Sequence, residues 1–353
     1  MRRSGKAYLS AGMASMVLLG LTACDSKPGS TWKEPAKGQA VAVLQTDADN
    51  KAQEVAYDGF GGTPEGITYG PDGLVYGLGT SLVTITKDHK AKVILDDQIE
   101  GMAGLVALPG GKFLTSADSQ LVELGPGRRK TALAGVAGKN RKLRDPAPKT
   151  VSASQYHFAA SQPVPFAAEP DGSIMIADYN VIWRLKDGHL TRIYQIPGRG
   201  PAKDWPAISP GGAASGTQTL YVSPSTDDPS HVGGITAIGA DGSSHTITLP
   251  RHIAGVPGDP ASLKVRWMTD DGADGIYVHA GDSSGSYVLH LAAEKAELVA
   301  KHSSKNESGS TCKPGKPVDA KNIPCEMPTS LAYSSGSLIM AGLTSAVLKI
   351  STK

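Results

Sequence analysis

The residues that could do chemistry are few and scattered. Asp227, Asp228 and His231 lie inside the segment from Ser223 to Gly234 and offer two adjacent carboxylates and an imidazole. Such groups suit a hard cation, but no closing glutamate follows, so the spacing matches no calcium loop. The other reading is that these aspartates cap their own turn. Among nine histidines, His279 and His290 fall in strand-like stretches, where a packed imidazole is the ordinary outcome. The chain has no Gly-x-Ser-x-Gly elbow and no His-Glu-x-x-His pair, so serine-hydrolase and zinc-protease chemistry have no carrier. Gly198-Arg199-Gly200 does not open a nucleotide-binding helix.

The three cysteines say more. Cys312 and Cys325 bracket Pro314, Gly315, Pro317 and Pro324, which mark a loop. His302 stands alone upstream, and no third cysteine completes a metal set. A disulfide between Cys312 and Cys325 is expected, which suits an oxidising compartment. Cys24 closes the run Leu21-Thr22-Ala23-Cys24, after Arg2, Arg3, Lys6 and an apolar stretch from Ala11 to Ala23. This resembles a bacterial lipobox. The resemblance implies that residues 1–23 are a removable signal peptide and that Cys24 carries acyl chains such as palmitate. The protein would then sit at the outer face of the cytoplasmic membrane. An ordinary secretory signal is the alternative. Residues 24–39 are polar and rich in Pro and Gly, and read as a flexible tether.

Basic residues number 35 against 33 acidic. Losing Arg2, Arg3 and Lys6 leaves 32 against 33, a net charge of −1. No global basic field recruits nucleic acid. Glycine (42) and proline (24) together make 66 of 353 residues, about 19%, against an average near 12%. That excludes coiled coils and helical bundles, and short recurring apolar runs exclude disorder.

Those runs repeat. Thr63–Thr80 and Pro165–Asn180 both read strand, Pro-Asp-Gly turn, strand, and two further apolar runs follow each. Equivalent turns begin at Pro71, Pro109, Pro170, Pro210, Asp270 and Ser334, with gaps of 38, 61, 40, 60 and 64. Four strands per forty residues is the period of a propeller blade. The expectation is an all-β, six-bladed β-propeller over residues 40–353, built of four-stranded antiparallel blades. The last blade lacks a fourth strand, and Gln53–Tyr57 is expected to supply it by pairing with Ala346–Ile350. Val41–Leu44 is expected to add a strand nearby.

The stretch Pro170-Asp-Gly-Ser-Ile-Met-Ile-Ala-Asp-Tyr-Asn180, with Ile182 and Arg184, resembles the NHL-repeat branch of six-bladed propellers. The match is close over 163–196 and loose over 53–353. The resemblance implies a binding or scaffold module, and some extracellular bacterial relatives are sensor domains of membrane kinases.

Long inserts gather on one face of such a ring: Gly138–Gln162, Gly198–Pro210, Pro250–Ser262 and Lys301–Pro328. Loops on a rigid scaffold commonly carry recognition. The expected ligand-binding face comprises Arg141, Lys142, Arg144, Asp178, Tyr179, Trp205, Asp227, Asp228, His231 and Asp282. Its partner would be an envelope protein or an anionic wall polymer. Simple solvation of the lysines and arginines is the competing explanation, and Trp205 could equally wedge between blades. No cofactor and no covalent chemistry are expected. The alternative is a metal-dependent hydrolase: Thr63-Pro64-Glu65-Gly66 is similar to the Glu-Gly-Pro start of the calcium-dependent gluconolactonases, which would make Glu65 a metal ligand. The corresponding positions of later blades are Ala103, Val164 and Thr329, where that family has asparagine or aspartate.

Overall fold

In the computed structural model the described residues are 34–45, 66–70, 72–78, 81–86, 91–95, 103–125, 129–143, 146–197, 207–225, 234–247, 249–292, 295–303, 312–342 and 346–353. The lipobox, with Cys24, lies outside them.

Alternating and doubly apolar runs form six antiparallel sheets. Their innermost strands are Gly66–Tyr69, Ala103–Leu108, Val164–Ala168, Ala207–Ser215, Lys264–Asp270 and Ser330–Ser334, in blades one to six. Each innermost strand contacts those of both neighbouring blades, and blade six returns to blade one. The ring is therefore closed, and the fold is a six-bladed β-propeller. Each sheet is apolar on both faces, so six separate apolar clusters fill the six gaps between blades.

Turn chemistry repeats as the sequence implied. In blade three, Asp171 Oδ1 accepts from Ser173 N–H (2.9 Å) and its hydroxyl (2.6 Å). Gly172 takes φ +79°, a conformation that favours glycine. One turn is elsewhere than expected. Pro210-Gly211-Gly212 is not the first hairpin of blade four; it lies within the innermost strand, where the register shifts between Ile208 and Ala213. Gly211 is needed there for close approach, because a Cβ would fall 2.2 Å from the Trp267 ring of blade five. The hairpin itself turns at Gly216–Gln218.

The closing strand is also a correction. Gln39–Gln45 pairs antiparallel with Ala346–Ser351 and completes blade six. The expected Gln53–Tyr57 lies outside the described residues. The physical reason is burial on both faces. Ala40 through Leu44 are at most 1% exposed, with Val41, Val43 and Leu44 facing blade one and Ala40 and Ala42 facing the core shared with blade five.

The disulfide Cys312–Cys325 is present, with Cα atoms 5.3 Å apart. Its loop covers the free edge of the closing strand. Val318 and Asp319 pair with Ala40 and Gln39, and Gly315 N–H donates to Ala42 O at 2.9 Å. Both sulfurs are buried in the blade-six core. Replacing both cysteines with serine should cost about 3 kcal/mol, the usual scale for closing a loop of this length. Urea denaturation measures it. An unchanged midpoint would mean that the loop's hydrogen bonds alone hold the edge.

Candidate functional site

The innermost strands run from the long-loop end of the ring to the hairpin-turn end. Each end holds a cavity.

At the long-loop end, blade three ends its second strand at Asp178, which is fully buried. Asp178 Oδ1 accepts from the N–H groups of Ala159 (2.7 Å) and Ala160 (2.8 Å). Its Oδ2 accepts from Trp183 Nε1 (3.3 Å) and the Tyr156 hydroxyl (3.4 Å), with Arg141 Nη2 at 3.5 Å. Burial pushes this carboxyl up, and the Ala160 N–H, Arg141 charge and Ala159 N–H oppose the push. Arg141 Nε donates to the Tyr156 hydroxyl at 2.6 Å, and its guanidinium lies 5.5 Å from that ring's centre. Asp178 and Arg141, both expected on the binding face, anchor the 138–162 insert from inside.

The insert fixed in this way walls a cavity of about 410 Å³ with Asn140, Ala160, Gln162, Tyr179 and Ile208 among its lining. Tyr179, an expected face residue, lines it with its backbone in the left-handed region (φ +58°). Its carbonyl accepts from Ile208 N–H of blade four (2.6 Å), which fixes the peptide across the blade gap. Lys142 is exposed. Asp282 caps a turn, accepting from the Ser284 N–H (2.8 Å) and hydroxyl (2.6 Å). Arg144, Trp205, Asp227, Asp228, His231 and Glu65 lie outside the described residues.

The described side chains at the starts of the innermost strands do not by themselves make an axial metal site of the gluconolactonase kind. Ala103 and Val164 begin their strands as apolar residues, and Thr329 offers one hydroxyl. Among the described residues no three His, Cys, Asp or Glu converge as metal ligands. The nearby His279 is wholly buried, and its Nδ1 lies 3.0 Å from Thr329 O, so that nitrogen carries the proton. Its Nε2 and the hydroxyl oxygens of Thr329 and Ser330 are buried without hydrogen-bond partners among the described residues.

At the turn end, a cavity of about 450 Å³ is lined by all six innermost strands. Tyr69, Phe166, Glu169, Trp267, Asp270 and Tyr333 give it its chemistry. Glu169 Oε1 accepts from the Ser215 hydroxyl (2.7 Å), and Asp270 Oδ1 accepts from Gly272 N–H (3.0 Å). Sequence reasoning missed these residues. The available signal was positional: Tyr69, Glu169, Asp270 and Tyr333 each stand at or within one residue of the end of an innermost strand.

No family model matches the chain, and no curated protein matches it. Solved structures do. A gluconolactonase from Xanthomonas campestris is 14% identical, with a TM-score of 0.53 over 90% of this chain and 96% of its own. A luciferin-regenerating enzyme is 14% identical, with a TM-score of 0.51 over 85% and 94%. An auxiliary nutrient binding protein from Bacteroides ovatus is 12% identical, with a TM-score of 0.54 over 90% and 77%. At these identities the likeness is one of fold.

Two outcomes are expected at the long-loop end. Asp178→Ala strands the Arg141 guanidinium and two backbone donors, and should cost about 3–5 kcal/mol in urea denaturation. A loss below about 1 kcal/mol would show that the insert is held by other contacts. Burial holds His279 down at about 4, against about 6.5 in an unfolded chain. The unfolded chain therefore takes up this proton first. The stability linked to His279 is complete above about pH 6.5 and is lost as pH falls toward 4, on the order of 3 kcal/mol in all. His279→Gln should flatten that limb of the stability–pH curve, and an unaltered limb would assign the acid sensitivity to other groups.

Proposed function

We propose that the chain is a lipid-anchored extracytoplasmic binding module that recognises a protein or cell-envelope ligand at its long-loop face. The observation that carries this is the rigid cavity beside Tyr179. A long insert is held to blade three by a buried carboxylate, and the residues so fixed, Ala159 and Ala160, wall the cavity. A loop that merely solvated a surface would need no such anchor, whereas pre-organisation lowers the entropic cost of binding. Chain direction supports the anchored orientation. Gln39 begins the closing strand at the turn end and Gln45 ends it at the long-loop end, opposite Ala346. A tether running back to an acylated Cys24 leaves from the turn end and presents the long loops away from the membrane. The NHL-like repeat fits the same module reading.

A second reading has its own support. Two of the similar structures are enzymes, one of them a gluconolactonase, and these favour a hydrolase using Glu65 over a non-enzymatic scaffold. Against it stand Ala103 and Val164, where metal ligands would be required.

One experiment separates the two. Acylated protein is incubated with solubilised membranes, beside a Tyr179→Asn variant that tolerates the left-handed backbone. The same preparations are assayed for lactone hydrolysis with calcium or zinc. A partner retained by the wild type and lost by the variant, with no turnover, is the expected result. Metal-dependent turnover abolished by Glu65→Gln would establish the hydrolase instead, and equal capture by both proteins would reject the long-loop cavity.

A further inference from the structure

The axial cavity at the turn end is a second site, independent of the long-loop face. Its volume of about 450 Å³ falls within the roughly 300–1,000 Å³ of small-molecule sites. Two features of its lining stand together. The first is negative charge without compensation. Glu169 and Asp270 both line the cavity, no lysine or arginine does so among the described residues, and neither carboxylate has a cationic partner there. Burial pushes Asp270 up from the usual carboxylate range, and the charges of Asp271 and Glu169 push the same way, against the Gly272 N–H. Half-buried, unpaired carboxylates are costly unless a ligand supplies the counter-charge.

The second feature is aromatic. Tyr69, Phe166, Trp267 and Tyr333 come from blades one, three, five and six, so rings approach the axis from several sides. The Tyr69 hydroxyl is buried and has no hydrogen-bond partner among the described residues. Trp267 is backed by the Gly211 backbone, and Tyr333 packs on Tyr277 with ring centres 5.1 Å apart. Rings supported in this way are fixed walls.

We propose that this cavity binds a compact organic cation of the alkylammonium class, held between the carboxylates of Glu169 and Asp270 and the rings of Trp267, Tyr333 and Tyr69. A bare calcium or magnesium ion is a poor match, since it demands about six or more oxygens at close range and the cavity offers two carboxylates among aromatic walls. An alkylammonium uses both features, because its charge meets the carboxylates and its methyl or methylene groups meet the ring faces.

The probes are choline and its uncharged isostere 3,3-dimethyl-1-butanol, titrated calorimetrically into the full chain. Choline should bind at least about tenfold more tightly than the isostere. Asp270→Asn and Glu169→Gln should each weaken choline by at least about tenfold while leaving the isostere unchanged. Both variants keep an acceptor oxygen for Gly272 N–H or the Ser215 hydroxyl. Should Asp270→Asn fail to fold, Glu169→Gln alone decides the matter. Trp267 fluorescence should change with choline, and that change should vanish in Trp267→Phe. Equal affinity for the two probes, choline binding unaffected by a folded carboxylate variant, or no heat with choline at millimolar concentrations would overturn the proposal. So would preferential binding of a neutral sugar such as glucose, which the same rings could stack against.

Discussion

The pairing of Gln39–Gln45 with Ala346–Ser351 is the constraint on which everything else rests. Each sheet has two apolar faces and no means of covering them alone, so no blade is stable outside the ring. The ring is as secure as its junction, and here the junction joins residues more than three hundred positions apart. Five consecutive residues, Ala40 to Leu44, disappear from solvent when it forms. At roughly 25 cal/mol per Å² of apolar surface, such burial contributes several kcal/mol. The closing strand would still leave an exposed edge on the outside of blade six. The disulfide loop covers it, with Gly315 and the Val318–Asp319 pair donating to and pairing with that edge. Closure and edge protection are one device, and the cysteines hold its second half in place.

The hub imposes a second restriction. A Cβ at Gly66 would lie 2.7 Å from Leu105 N of blade two, and one at Gly104 would lie 2.5 Å from Pro165 O of blade three. Gly104 also sits at φ +71°, in the left-handed region. Backbones meet near the axis here, and side chains cannot intrude between them. The innermost strands of blades two to five each shift register once against their neighbours. Such bulges bend a strand and re-aim its remaining side chains. The side chains that reach the axial cavity with useful chemistry come mainly from the strand ends, just past this crowded stretch.

Much of the architecture was legible in the residues because its signals are local. Asp171 capping Ser173 and Gly172 at positive φ are turn chemistry that a short window contains. The closing strand was misassigned because Gln53–Tyr57 shows a plausible alternation, while Val41–Leu44 is apolar at every position. Unbroken apolar character is the mark of a strand buried on both faces, as a propeller strand must be. Pro210-Gly211-Gly212 misled for the opposite reason: its composition spells a turn, but the demand it meets is proximity to Trp267 of the next blade. The candidate site was the least readable part. Asp178 carries the charge of a surface residue, yet its partners Ala159 and Ala160 are backbone groups that no side-chain pattern announces. The axial residues contribute one per blade, tens of positions apart, and only the ring brings them together.

The two ends of the axis resolve their polar groups in opposite ways. At the long-loop end, the buried charge of Asp178 is met inside the protein. Asp178 meets Arg141, Tyr156 and two backbone donors, and His279 is held neutral against Thr329. At the turn end, the carboxylates of Glu169 and Asp270 find only a hydroxyl and an N–H among the described residues. Blade geometry does not require this difference, since both ends are built from the same six strands. Internal cancellation at Asp178 holds the 138–162 insert in place. Uncompensated carboxylates among aromatic rings leave a field, and a field selects by charge. If both proposed sites bind, the ring would read shape at one mouth and charge at the other along a single axis. The difference between the two ends comes from where the carboxylates of this chain find partners, not from the fold it shares with enzymes and binding proteins alike.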